Sequence, residues 1–439
     1  MNLPNRILIT LCILATGAAQ GQDLLSIYDL ALQNDQELKV AKQQLESVRE
    51  VGPQAKAQLL PTISIGGSTN YTNRNTVRSS SSSSEGKDDF GNYALDLLLT
   101  QPIYRRDYWI ELDRTSNQIA QAEADYAQAE LGLMARVIQV YFNILSAQDD
   151  LTVSRAQTEA NKRQLEQAQQ RFDVGLIAIT DVHEAQAAYD RSRADLIAAE
   201  NSVDDAWEAL FVIVGPEAKD IAKLGEDLPL TPPKPADMES WAKSAIEQNY
   251  SIISKMNAAE SQRKRIEVER SGHYPVLDLQ ASYGIDRTSD SDIASDRDDA
   301  VIGLQLSVPL YQGGGVSSRV RQAQFDYQAA RDALDQERRS VSADIRNAYR
   351  GVISTISRVR ALKAATVSSK SALESTQAGY EVGTRTLVDV LAAQTLMFDA
   401  TRNFLRSRYD YIINGLLLKQ RAGILSREDM VRVNSWLQK

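Results

Sequence analysis

The 439-residue sequence predicts a mixed α+β membrane protein, in which each chain gives four strands to a β-barrel shared between copies and long helices continue that barrel as a tunnel wall. Three observations predict it. Four runs alternate strictly between apolar and polar residues, two long proline-free stretches carry coiled-coil spacing, and an internal duplication gives both halves the same order of parts.

The N-terminus has the layout of a secretory signal over residues 1–21: Asn5-Arg6, an apolar run from Ile7 to Ala15, then small residues at Gly17-Ala18-Ala19. That run is too short for a membrane-spanning helix. Cys12, the only cysteine, falls inside it without the small preceding residue of a lipidation site, so no lipid anchor and no thiol chemistry are expected. His183 and His273 lie far apart and outside any motif, which leaves hydrolase and metal chemistry without a constellation; no enzyme and no cofactor are expected. Net charge is −9, or about −10 without Arg6, and this disfavours nucleic acid and anionic lipid surfaces as partners. Aromatics are only 6% of the chain, which suits thin helix seams better than a thick globular core.

Beyond the signal the chain divides into a first repeat (22–215), a Pro-rich linker (216–237), a second repeat (238–423) and a C-terminal segment (424–439). Ala31-Leu32-Gln33-Asn34 returns as Ala245-Ile246-Glu247-Gln248 at an offset of 214. Gln101-Pro102-Ile103-Tyr104 returns as Val308-Pro309-Leu310-Tyr311 at 207, and Phe172-Asp173-Val174-Gly175 as Tyr380-Glu381-Val382-Gly383 at 208. Asp181, Gln186 and Gly215 match Asp389, Gln394 and Gly423 at 208 as well. Each repeat opens with an expected helix, roughly Leu24 to Ala57 and Met238 to Arg270.

Two extended runs follow in each repeat. Leu277, Leu279, Ala281, Tyr283 and Ile285 oppose Asp278, Gln280, Ser282 and Gly284; Ala300, Ile302, Leu304 and Leu306 oppose Val301, Gly303, Gln305 and Ser307. Tyr93, Leu95, Leu97 and Leu99 give the second run its apolar side, and Ile63 and Ile65 begin the first. Such alternation fits a half-buried soluble sheet as well as a barrel. Runs of about 12 residues reach roughly 40 Å, enough for a tilted membrane strand. The connections, Asn73 to Gly91 with serines at Ser79 to Ser84 and Asp286 to Asp299, resemble external loops, and Tyr104, Tyr108, Trp109, Tyr274 and Tyr311 cluster at the other strand ends. Four strands cannot close, since about eight are needed even for a filled barrel. Open edges in lipid cost several kcal/mol per unpaired group, so the chain must oligomerise. Two copies give a plugged barrel; three give a lumen.

The long helices follow. Ala122, Tyr126, Ala129, Leu133, Val137, Val140, Ile144, Ala147, Leu151, Ser154, Thr158, Asn161, Leu165, Ala168 and Phe172 step by threes and fours, with one four-four step at Leu133 to Val137. The second repeat puts its own four-four step at Val341 to Ile345, a stutter that locally unwinds a supercoil. Trp109 to Phe172 as one helix is about 95 Å long. A coiled-coil rod explains the heptads but not the strands or the duplication.

Each long helix stops at a short break. Gly175 and Gly383 suit a helix C-terminus, and Asp181 or Thr386 can cap the next helix. These breaks, together with Ser307-Val308-Pro309-Leu310-Tyr311-Gln312-Gly313-Gly314 and Gly272-His273-Tyr274-Pro275, make the chain resemble the TolC family of outer-membrane efflux proteins nearly end to end. The resemblance implies a homotrimer with a twelve-stranded barrel in outer-membrane lipid, a twelve-helix periplasmic tunnel, and a small equatorial domain from the linker and C-terminal segments. It implies a periplasmic adaptor (membrane fusion) protein and an inner-membrane RND, ABC or MFS transporter as partners. Efflux or type I secretion from a Gram-negative cell follows. It also implies a gate in which Tyr380 and Arg385 bond Thr180 and Asp181 of neighbouring helices, an acidic ring at Asp389, and adaptor docking at Gly175 and Gly383. Where the family pattern has a second Asp, this chain has Ala392.

Overall fold

The computed structural model describes residues 22–76, 86–216, 218, 220–288 and 296–438. The proposed signal with Cys12, the serines Ser79 to Ser84 and the middle of the acidic loop lie outside the described residues.

The first repeat runs α1 (Leu24–Asn34), α2 (Gln36–Arg49), α3 (Val51–Ala57), β1 (Thr62–Thr76), β2 (Gly86–Tyr104), α4 (Arg106–Asp173) and α5 (Ile179–Val214). The second runs α6 (Met238–Gln248), α7 (Tyr250–Arg270), a 3₁₀ turn at Ser271–His273, β3 (Val276–Thr288), β4 (Arg297–Ser307), α8 (Gly315–Glu381) and α9 (Leu387–Arg421); α10 (Arg427–Asn434) follows.

The single opening helix expected in each repeat is broken. Asp35 leaves the helical region (ψ 121°) and accepts from the Leu38 N–H at 2.7 Å, so it ends α1 and caps α2. Asn249 does the same between α6 and α7, accepting from the N–H groups of Ser251 and Ile252. A short polar side chain that bonds its own downstream backbone competes with the helix ladder, and that competition decides the breaks at Asp35 and Asn249; α2 and α3 are also separated at Glu50, which carries no side-chain cap.

Contact density divides the chain into two units. One holds residues 39–129 and 246–341, and with them the sheet. Its strands lie in the order β1-β2-β3-β4, all antiparallel. The register aligns the alternation across strands: Ile63 faces Leu99, Leu99 faces Ala281 and Ala281 faces Ile302. On the other side Thr62 faces Thr100, Thr100 faces Gln280 and Gln280 faces Gly303. One sheet face is therefore apolar along the middle of the strands, and Ile63, Ile65, Ile302, Leu304 and Leu306 are exposed on it. The strands also run further than the alternation predicts. Pairing continues from Asn73 with Asp89 to Thr76 with Gly86, and Asp286 to Thr288 and Arg297 to Asp299 belong to strands rather than to the loop. Polar pairs hold these extensions: Asn73 donates to Asp89, and Arg287 pairs with Asp298 at 2.8 Å.

The other unit holds the described residues within 1–38, 130–245 and 342–439. Its buried side chains include Leu24, Ile27 and Ala31 of α1, Leu133, Val137, Ile138, Tyr141, Phe142, Ile144 and Leu145 in the middle of α4, Leu210 and Val214 of α5, and Leu416 and Leu418 of α9. The Tyr141 hydroxyl donates to the Ala222 carbonyl at 2.8 Å, and Asn434 of α10 receives the Leu24 N–H at 3.0 Å. Leu133, Val137 and Ile345, three of the four stutter positions, are fully buried, as residues of a seam must be.

Candidate functional site

The two helix breaks are built alike at their first turn. Gly175 has φ +75°, its N–H bonds the Phe172 carbonyl at 2.8 Å, and the Leu176 N–H bonds Arg171 at 2.8 Å. Gly383 has φ +80°, with its N–H on Tyr380 at 3.1 Å and the Thr384 N–H on Gly379 at 2.8 Å. A side chain at either glycine would meet no neighbour, so the left-handed backbone and not crowding requires glycine there.

The next turn differs. Thr386 caps α9: its hydroxyl oxygen accepts from the Asp389 N–H at 3.2 Å, while the Asp389 carboxylate accepts from the Thr386 N–H and hydroxyl at 2.9 Å each. The Thr386 N–H, then its hydroxyl, hold the Asp389 carboxyl below the usual carboxylate range. In the first repeat the N-cap is Ala178, which has no capping group. Asp181 is thus not a cap; it is the third residue of α5, and its backbone N–H bonds the Ala178 carbonyl at 3.1 Å. Among the described residues of one chain, no hydrogen bond or ion pair engages the Asp181 carboxylate. Equivalent aspartates therefore differ, one engaged by its own cap and one available.

Beneath the breaks, Ala168, Val182, Ala185 and Leu387 form a buried cluster against which Leu165, Ile177, Tyr380 and Leu391 pack. The Arg171 guanidinium lies over the Tyr380 ring, 4.9 Å from its centre. Arg385 folds its stem over Gly379, where an added side-chain carbon would come within 2.8 Å of it. Within one chain, and among the described residues, neither Tyr380 nor Arg385 bonds Thr180 or Asp181. The structure packs Tyr380 against the cluster that contains Val182 and leaves Thr180 and Arg385 exposed.

Further along the same helices lies a set of contacts that motif reading passed over. Gln394 donates to the Asn161 side-chain oxygen at 2.8 Å, and Asn161 donates to the Ala188 carbonyl at 3.1 Å. Arg402 pairs with Asp150 and reaches Ser154 and Gln157, and Tyr409 donates to Asp149 at 2.6 Å. The sequence signal was present: Ser154, Thr158 and Asn161 interrupt an otherwise apolar stripe.

The sequence model of the family described as "outer membrane efflux protein" matches residues 27–216 and 241–423. The chain belongs to that family. The outer membrane protein TolC of Vibrio cholerae is 37% identical over 428 residues, covering 96% of this chain and 95% of that protein. The proteases secretion protein PrtF of Dickeya chrysanthemi is 28% identical, covering 97% and 93%. Among solved structures, the Campylobacter jejuni CmeC outer membrane channel superposes with a TM-score of 0.79 at 18% identity, covering 100% of this chain and 98% of that one. As an outer membrane efflux protein, the chain resides in the outer membrane of a Gram-negative cell. Among the described residues no helix is long and apolar enough to cross a membrane.

Proposed function

We propose that three copies of this chain form the gated exit channel of an efflux or type I secretion system, passing small toxic compounds or proteins outward. The observation that carries this is the sheet. Among the described residues of one chain β1 pairs only with β2 and β4 only with β3, so both edges stay open while the apolar face is exposed. In lipid those edges must be paired, and identical copies supply the pairs. Three sheets make a twelve-stranded barrel with a lumen, and α4, α5, α8 and α9 of each copy make a twelve-helix tunnel. Similarity to TolC and to a protein named for protease secretion supports both efflux and secretion.

The helix tips form the gate in this reading. Tyr380 and Arg385 of one copy bond Thr180 and Asp181 of a neighbouring helix, and the unengaged Asp181 carboxylate supports that role. Asp389 supplies one acidic ring, and the turns at Gly175 and Gly383 receive the periplasmic adaptor, which links the channel to an RND, ABC or MFS transporter. The exposed Val174, Leu176 and Val382 beside those glycines support docking. Planar-bilayer recording tests the gate: Tyr380→Phe with Arg385→Ser raises single-channel conductance. Unchanged conductance counts against these residues as the closure.

A further inference from the structure

The seam between α4 and α9 changes character two helical turns from the tips. Toward the tip it is closed by Leu165, Ala168, Leu387 and Leu391. At its polar stretch Ser154, Gln157 and Asn161 of α4, Ser192 of α5 and Gln394 of α9 are all buried. Asn161 uses both ends of its amide there. The nitrogen donates to the Ala188 carbonyl of α5 and the oxygen receives Gln394 of α9, so one side chain ties three helices. Thr158 adds a bond from its hydroxyl to the Ser192 carbonyl at 2.9 Å, fixing α4 on α5 independently of α9.

We propose that Asn161 and Gln394 form a latch that sets the register of α9 against the α4/α5 pair and so positions Tyr380, Arg385 and Asp389. This rests on the gate reading above. Apolar seams tolerate small slides because one methyl replaces another, whereas a buried amide pair is satisfied at one register only. Gln394 stands five residues beyond Asp389 on the same helix, so a change of register at the latch moves the first turn of α9 with it. The duplication provides an internal comparison. Gln186, the counterpart of Gln394, is exposed and bonds Asp190 on its own helix at 2.8 Å. Within one chain, then, the same residue type at the equivalent position is left exposed, while Gln394 is already buried. The Arg402 contacts with Asp150, Ser154 and Gln157 lie further along α9 and give it a second hold on α4, which lets the tip end shift without releasing the helix.

The test separates positioning from mere burial of polar groups. Asn161→Leu with Gln394→Leu replaces the amide pair by an apolar pair of similar volume, and Asn161→Gln with Gln394→Asn restores the bond with the side chains exchanged. Full-length protein of each variant is compared for thermal stability of the purified oligomer and for conductance in planar bilayers, beside Tyr380→Phe with Arg385→Ser. A latch predicts that the leucine pair keeps the oligomer and its melting temperature yet raises conductance above wild type, and that the exchanged pair returns conductance toward wild type. Wild-type conductance from the leucine pair, while the gate variant conducts more, overturns the latch and leaves the gate standing. Wild-type conductance from both sets overturns the gate reading and the latch with it.

Discussion

At Asp389 the carboxylate does two things at once. It closes a capping box with Thr386 and, in the proposed channel, faces the constriction as one of a ring of three. The cap keeps it ionised. Because its folded value lies below the ordinary carboxylate value of 3.8, the charge persists as pH falls and is lost only below the usual range. Removing the cap's hydroxyl lessens this, while the Thr386 N–H, the larger cause, stays. Thr386→Val deletes the hydroxyl that donates to the carboxylate, so block by hexamminecobalt(III) should fade at a higher pH than in wild type, read as conductance across a pH series; coincident pH profiles would separate the cap from the ring. Ala392 is exposed one turn further on, near enough to Asp389 for a carboxylate there to add to the same field. Ala392→Asp should therefore strengthen that block at neutral pH. An unchanged blocking concentration would remove Asp389 from selectivity.

Among the elements, the short helices α1 and α2 depend on one side chain. Asp35 caps α2, and its carboxylate also takes the Arg136 guanidinium at 2.8 Å while Glu37 holds the other side at 2.6 Å. Asp35 is 5% exposed, so both contacts count. Asp35→Ala should cost about 2–4 kcal/mol, the cap plus a charge-assisted bond. Asp35→Asn keeps the capping oxygen and should cost roughly half of that on the same grounds, a difference visible in thermal unfolding followed by circular dichroism. This break also marks where sequence reading stopped short. A Pro or Gly announces the end of a helix, but Asp35 and Asn249 sit within continuous helical spacing, and only their backbone angles reveal them. The long helices were legible because their stripe is long and proline-free. The tips were legible through their glycines, although Ala178 gives no cap and leaves Asp181 in a role that a capping preference does not predict.

For the whole molecule, the strand alternation carried the sheet from sequence to structure, since the apolar positions in the middle of each strand fall in line with those of the next. Strand order was not legible. Pairing of β2 with β3 joins the two repeats across more than 170 residues, as in Leu99 with Ala281, and no local pattern specifies so distant a partner. The polar strand ends were missed for a related reason: backbone ladders continue wherever cross-strand polar pairs hold them, with or without apolar alternation. What remains of the sheet's requirements lies outside one chain, at the free sides of β1 and β4. Native mass spectrometry of the detergent-extracted, full-length protein measures that requirement most directly. A single species of three chains that persists on dilution is the predicted result; a stable single chain that stays in aqueous solution without detergent would contradict it.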